Sequence, residues 1–353
     1  MNNNVTVFCD QILKSPRLLL ECELEPVQGE RFQPTGFPDI GSAVYELPDG
    51  RRKILVESAQ SMANRFEKVC VKGDGPGIDD DLAGIPYIKV KLKGALKSET
   101  SSLVEAHRIN SPFIIKAHKS KEPFESVFRA KSGYEEKKPI DWQKVAGALL
   151  YYDPSSLVHG VFMANIGDGR LKVPRLLSAF IEAEDVREVS YGGVKNNAYD
   201  PKGEIRAKDF DKDVYGNVPY HRTEYTASVI KAYFNIDITQ LQGYFAGNDR
   251  VKKFFLVFCL LKIRRFLNRG LRLRTSCDFK CKGGLKITMP EKLPAVPDEG
   301  ELLNALQSMI KECADEGLFA SPAVTELECE SVKKESKAKP ADDGAVNEER
   351  ESA

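Results

Sequence analysis

The chain has 353 residues, with 52 Lys/Arg against 52 Asp/Glu, a formal net charge of +0 and 42% hydrophobic residues. That is the composition of a soluble globular protein, long enough for one elaborated domain or two ordinary ones. The longest apolar run, residues 254–261, is too short to span a bilayer. The start, MNNNVTVFCD, has neither half of a signal peptide, and the eight cysteines show no CxxC spacing, so reduced thiols in a cytoplasmic protein are expected, without a metal.

In chain order, LLLECELEP reads as a strand ended by Pro26. A Gly/Pro-rich loop, RFQPTGFPDIGSAVYEL, feeds a strand at 42–47. Pro48-Asp49-Gly50 then turns the chain into a second strand, RRKILVES, making a hairpin. Residues 58–69 have the spacing of a helix, with Ala59, Met62, Ala63, Phe66 and Val69 inward and Gln60, Ser61, Asn64 and Arg65 outward. The region 71–138 is irregular. Its GDGPGIDDD segment reads as a flexible acidic loop whose order of glycines and acids does not make an EF-hand. IPYIKVKLKG alternates as a strand with a basic face; 141–151 is a short helix and 156–165 a buried strand. The excursion 189–222 is rich in Gly, Tyr and Lys/Arg and alternates at both ends, as an extended hairpin would. A final amphipathic helix spans ELLNALQSMIKECADEGLF, and residues 326–353 have the composition of a disordered charged tail.

The strongest charge signal is residues 250–286, which hold twelve Lys/Arg and one acid, Asp278. Such local imbalance in a neutral chain is the footprint of a polyanion binder. Residues 251–268 carry apolar side chains at helical spacing, with Lys252, Lys262, Arg264 and Arg265 in the gaps. Gly270 closes the helix as a left-handed cap. The period then becomes two, with Leu271, Leu273, Thr275, Cys277 and Phe279 on one face. Arg272, Arg274, Ser276, Asp278 and Lys280 occupy the other. Arg272 and Arg274 side by side on an open sheet face would suit phosphate oxygens.

No Walker loop, GxSxG elbow, HExxH or dinucleotide fingerprint is present, and the four histidines fall in different elements. His159 reads as a core residue. A metal-free ribonuclease assembled from His159 or His221 with a Tyr and a Lys stays open on these grounds.

RFQPTGFPDIGSAVYEL together with LVESAQSMANRFE resembles the CRISPR-associated RAMP superfamily, in particular the backbone subunit of type I effector complexes of the I-U (I-G) branch. YGGVKNN, GNVPYHRTEYTAS and LRLRTSCDF are similar to the same branch, so the likeness spans most of residues 15–285. A Gly-rich loop near the C-terminus, common in RAMP proteins, is reduced here to Gly283-Gly284. The resemblance implies an α+β fold: a ferredoxin-like (RRM-like) palm over 1–325. Its insertions fall at about 70–140 and at 189–222, the second a thumb-like hairpin. It also implies a non-catalytic subunit that oligomerises along CRISPR RNA and supports pairing with target DNA beside other Cas subunits. No cofactor or membrane enters this picture. The residues it places on RNA are Gln33, Thr35, Gln60, Ser61, Asn64, Arg65, Lys195, Arg222, Arg272 and Arg274. The alternative it leaves is a RAMP-type endoribonuclease, with Asp39 or Asp49 as the acid.

Overall fold

A computed structural model of the chain describes residues 3–37, 40–73, 75–119, 122–164, 166, 169–204 and 216–331. Asp39, residues 205–215 of the expected hairpin and residues 332–353 of the expected tail lie outside them.

Helix α1 (Asn3–Ile12) precedes strand β1 (Arg17–Pro26), whose Leu18, Leu20, Cys22 and Leu24 alternate into the core. The expected hairpin follows as β2 (Val44–Glu46) and β3 (Arg52–Glu57), paired antiparallel through the Pro48-Asp49-Gly50 turn. Helix α2 (Ala59–Lys68) begins at Ser58, whose side chain caps the N–H of Ser61, and buries Met62, Ala63 and Phe66.

Strand β4 (Tyr87–Gly94) lies in a second sheet. Next come α3 (Trp142–Tyr152), capped by Asp141, and α4 (Pro154–His159). Of the buried strand expected over 156–165, residues 156–159 are thus helical and only Val161–Phe162 pair as a strand. Pro154 fits the first turn of a helix, and the apolar run that reads as a strand is a short helix buried on every side. The later elements that build the sheets and the site are β5 (Leu177–Glu184), β6 (Arg187–Lys195), β7 (Val218–Thr226), β8 (Val229–Asp237), the 21-residue α5 (Asp249–Arg269), β9 (Arg272–Arg274), β10 (Cys277–Cys281), α6 (Glu299–Asp315) and β11 (Val324–Ser331).

The main sheet runs β9–β10–β1–β8–β5–β3–β2, antiparallel at every step, with residues Lys286–Met289 also pairing with β1. Its inner face meets α2 and α5. Phe66 packs on Phe234 and, edge-on, on Phe266, while Phe254, Phe255 and Phe258 are fully buried. Each such ring contributes on the order of 1.5–3 kcal/mol of transfer free energy.

The two ends of the sheet meet. Residues 32–35 bridge them, Gln33 N–H donating to the Ser276 carbonyl beside β10 and Thr35 N–H to the Val56 carbonyl of β3. The antiparallel sheet is therefore curled.

Several expectations are revised. Residues 271–279 form not one strand but two, turned at Thr275-Ser276, with Ser276 at φ +58°. Leu271, Leu273, Cys277 and Phe279 are buried as expected, whereas Thr275 is exposed in the turn. Gly270 ends the helix at φ −107°, not left-handed. A Cβ there would stand 2.8 Å from the Phe266 ring, so it is space that requires glycine.

The acidic segment is docked: Asp79 (3.3 Å) and Asp81 both pair with Arg265, which is fully buried in α5. Residues 326–331, expected in the charged tail, belong to a strand. In TELECES, Thr325, Leu327 and Cys329 alternate inward, so β11 pairs in parallel with β4. Its Glu326, Glu328 and Glu330 stand opposite Lys89, Lys91 and Lys93, which covers the basic face read in IPYIKVKLKG.

Asp153 is fully buried at the start of α4. One carboxylate oxygen accepts from Ser156 Oγ at 2.7 Å, and the other has no partner. Burial pushes its pKa up to about 6, with Glu67 adding to the rise. A raised carboxyl favours the protonated fold, so the contribution of Asp153 to stability is greatest below about pH 4 and is lost as pH rises through 6. Asp153→Asn should therefore stabilise the protein at pH 8 by roughly 2–3 kcal/mol and by almost nothing at pH 4. Urea unfolding at the two pH values checks this; an equal gain at both would rule out titration as the cause.

Candidate nucleic-acid interface

Glu57, 0% exposed at the end of β3, is the centre of a cation network at the seam where the sheet closes. Arg65 of α2 donates Nε to Glu57 Oε1 (2.8 Å) and a terminal nitrogen to the Leu273 carbonyl (2.7 Å). Arg274 of β9 binds Glu57 Oε2 and donates to the carbonyls of Gln33 (2.9 Å) and Val56 (3.3 Å). Ser61 Oγ donates to Glu57 Oε1.

The structure thus gathers Ser61, Arg65, Arg274 and the 33–35 backbone at one place, but turned inward. Arg272 and Arg274 do not share an open sheet face. The charge of Glu57 draws Arg274 into the seam, while Arg272 stays exposed beside Arg65 and Lys68.

The open face of the sheet is not a cationic surface either. Lys231 pairs with Glu21, Lys53 with Glu182 and Glu184, Lys280 with Glu25, and Lys282 with Glu23. Within 250–286 most charges are likewise spent internally. Arg250 pairs with Glu312 and Glu316, Lys253 with Asp10, Arg265 with three acids and Arg269 with Glu299. Arg264 donates to the Val296 and Pro297 carbonyls. Lys262 is fully buried, 3.4 Å from the Phe66 carbonyl and 4.4 Å from the centre of the Phe258 ring.

Three adjoining hollows lie along the outward face of α2, lined in part by cations that keep no carboxylate. The first, about 350 Å³, lies between Arg65, Lys68, Arg269 and Arg272. The second, about 460 Å³, shares Lys68 with it and adds Gln60 and Asn64, which hydrogen-bond each other at 3.3 Å. The third, about 1010 Å³, shares Gln60 and brings in Lys172 and Arg175. Acids on this path are engaged inside the fold. Asp79 holds Arg265, Glu67 holds Arg108 at 2.6 and 3.0 Å, and Glu105 accepts from Thr100 and Ser111. Lys68, Arg272, Lys172 and Arg175 remain without an acid partner among the described residues, a track matched to a row of anions.

Of these, Lys68, Lys172 and Arg175 escape sequence reasoning. Lys172 and Arg175 lie more than 100 residues from α2 in sequence, and only the fold brings them beside Gln60, which Arg175 contacts directly.

Lys195 and Arg222 are exposed on the two-stranded hairpin β6–β7, apart from this track. Arg222 lies 5.7 Å from the Tyr220 ring, and Tyr199 near the tip is 96% exposed. The hairpin is tied at its base, where Arg31 stacks 5.0 Å over Tyr191 and Tyr191 donates to the buried Glu224. Asp49 is exposed in the β2–β3 turn, and hydrogen bonds from the Arg51 backbone and side chain hold its carboxyl below the usual range.

The sequence model of the family described as CRISPR-associated protein GSU0053 matches residues 18–188. Over those residues, a little under half of the chain, the protein is similar to the CRISPR-associated proteins that this model describes. The GSU0053 match takes in β1, the seam carboxylate Glu57 and all of α2 with Gln60, Ser61, Asn64, Arg65 and Lys68; Arg272 and Arg274 fall outside it. No curated protein matches the chain. A chain from a solved structure titled "CRISPR RNA-guided surveillance complex, pre-nicking" aligns over 84% of this chain and 89% of that one, at 14% identity and a TM-score of 0.37. Among the described residues no group of three His, Cys, Asp or Glu could hold a metal ion, and no helix is long and apolar enough to cross a membrane.

Proposed function

We propose that the protein is a non-catalytic backbone subunit of a type I CRISPR effector complex, of the I-U (I-G) branch, that holds CRISPR RNA along the outward face of α2. The observation that carries this reading is the track of acid-free cations from Arg272 through Lys68 to Arg175 and Lys172, with the amides of Gln60 and Asn64 between them. Lysine and arginine grip phosphates without reading bases, as a subunit that must accept any guide requires; guide–target pairing then supplies the sequence specificity.

The strand order β10–β1–β8–β5, with α2 on the path from β1 to β5 and α5 on that from β8 to β10, supports a ferredoxin-like palm made of two split β-α-β units. The β6–β7 hairpin supports the thumb, which would bring Lys195 and Arg222 to the RNA or to the next copy. In this reading Arg65, Arg274, Ser61, Gln33 and Thr35 shape the seam behind the track, whereas Gln60, Asn64 and Arg272 face the strand.

Repetition along an RNA uses a head-to-tail interface that does not close on itself, so copies should line up on the guide beside other Cas subunits. Coexpression with a CRISPR array tests the proposal. Uniform-length RNA in a large particle is the expected result. A nucleic-acid-free monomer, or trimmed RNA with the isolated protein, would overturn it, the latter in favour of a ribonuclease.

A further inference from the structure

The largest of the three hollows beside α2 has a polar floor. His159 is 1% exposed, stacked on Phe66 with ring centres 6.3 Å apart, and neither of its ring nitrogens has a hydrogen-bond partner. Asn110, also lining the hollow, is buried with an unpartnered Oδ1. Buried polar atoms left unpaired are costly, and a site that leaves several of them together is suited to a ligand.

Burial, and then the nearby charges of Lys262, Arg108 and Arg175, disfavour protonation of His159. A neutral imidazole presents one donor and one acceptor, while Asn110 Oδ1 only accepts. The rim differs from the floor. Phe162 is 48% exposed, and Lys172 Nζ lies 5.1 Å from the centre of its ring.

Arg175 stands beside them, held by a hydrogen bond to the His159 carbonyl at 3.2 Å. Gly160 makes this possible: its φ is +76°, and a Cβ would come within 3.0 Å of the Arg175 side chain and of the Val173 carbonyl. A donor–acceptor floor, an aromatic edge and two cations without acid partners match the three parts of a nucleotide: base edge, base face and phosphate. The volume, about 1010 Å³, admits one with room to spare.

We infer that this hollow binds a single nucleotide whose base carries an exocyclic amine, with the amine toward Asn110 and His159, the ring on Phe162 and the phosphate at Lys172 and Arg175. The nucleotide could be free or belong to the strand on the α2 track, with which the hollow shares Gln60; only the second source rests on the proposed function.

Calorimetry on the full-length protein, freed of copurifying nucleic acid by high salt, tests the free source with cytidine 5′-monophosphate, uridine 5′-monophosphate and inorganic phosphate. The expected result is one site per chain that prefers the cytidine nucleotide at least fivefold over the other two probes. Phe162→Ala and Lys172→Ala, both outside the core, should each weaken it at least tenfold. For the strand source, single-stranded RNA bearing 5-iodocytidine should photocrosslink to residues 159–164, and Phe162→Ala should abolish the crosslink.

Either arm succeeding supports the pocket. Failure of both overturns it, as does cytidine nucleotide binding that is unchanged in both variants or matched by the uridine nucleotide. Lys68→Ala with Arg272→Ala separates the two readings, because it should weaken RNA and leave cytidine monophosphate binding unchanged.

Discussion

Glu57→Ala should cost about 3–5 kcal/mol of folding stability, the largest single-residue effect expected in this protein. Its carboxylate is fully buried and receives Ser61 and Arg65 from α2 and Arg274 from β9. Removing it leaves two guanidinium groups in a partly buried seam with only carbonyls to satisfy them. The bridge through residues 32–35 would then be the main link between β3 and β9. Urea denaturation, read as a shift of the midpoint at constant slope, is the measurement. Glu57→Gln keeps the shape but loses the charge and should fall between the parent and the alanine variant. A loss below about 1 kcal/mol for alanine would show that the seam is held by backbone and packing alone.

This seam explains how far the site could be read from sequence. Helix 58–69 and its buried stripe follow from spacing, which also puts Gln60, Ser61, Asn64 and Arg65 on its polar side. What spacing cannot supply is the partner. Glu57 reads as one more charged residue at a strand end, and only the curl of the sheet shows that Arg274, 217 residues further on, turns inward to meet it.

The basic run 250–286 misleads for the same reason. Charge counted along a chain says nothing about acids brought from elsewhere, and here Asp10, Asp79, Asp81, Glu299 and Glu312 neutralise it. Alternation misleads more gently. Residues 271–279 alternate correctly through Leu271, Leu273, Cys277 and Phe279, because a two-residue turn preserves the parity of the pattern while reversing the chain. In TELECES the alternation was legible, but its three glutamates gave it the composition of a tail. Their lysine partners on β4 lie more than 230 residues away.

Replacing Lys68 and Arg272 together by alanine should weaken binding of single-stranded RNA by about 2 kcal/mol, roughly thirtyfold, and by nearly the same factor for any sequence. Both side chains are exposed and neither has an acid partner among the described residues, so their loss leaves no buried charge behind and the fold should be unaffected. If each neutralises one phosphate, the slope of log K against log salt should flatten by about 1.4, since roughly 0.7 counterion is released per phosphate of a single strand. Arg274→Ala makes the contrast: half-buried and bound to Glu57, it should lower stability first and affect RNA only through the seam. Fluorescence anisotropy at several salt concentrations, with unfolding curves for both variants, separates the two roles. Were the double variant to bind with unchanged affinity and slope while Arg274→Ala, still folded, lost binding, the RNA would have to lie over the seam and not along α2. A sequence-dependent loss would point to base reading at this track, for which the planar donor fork of Arg272 is the group suited.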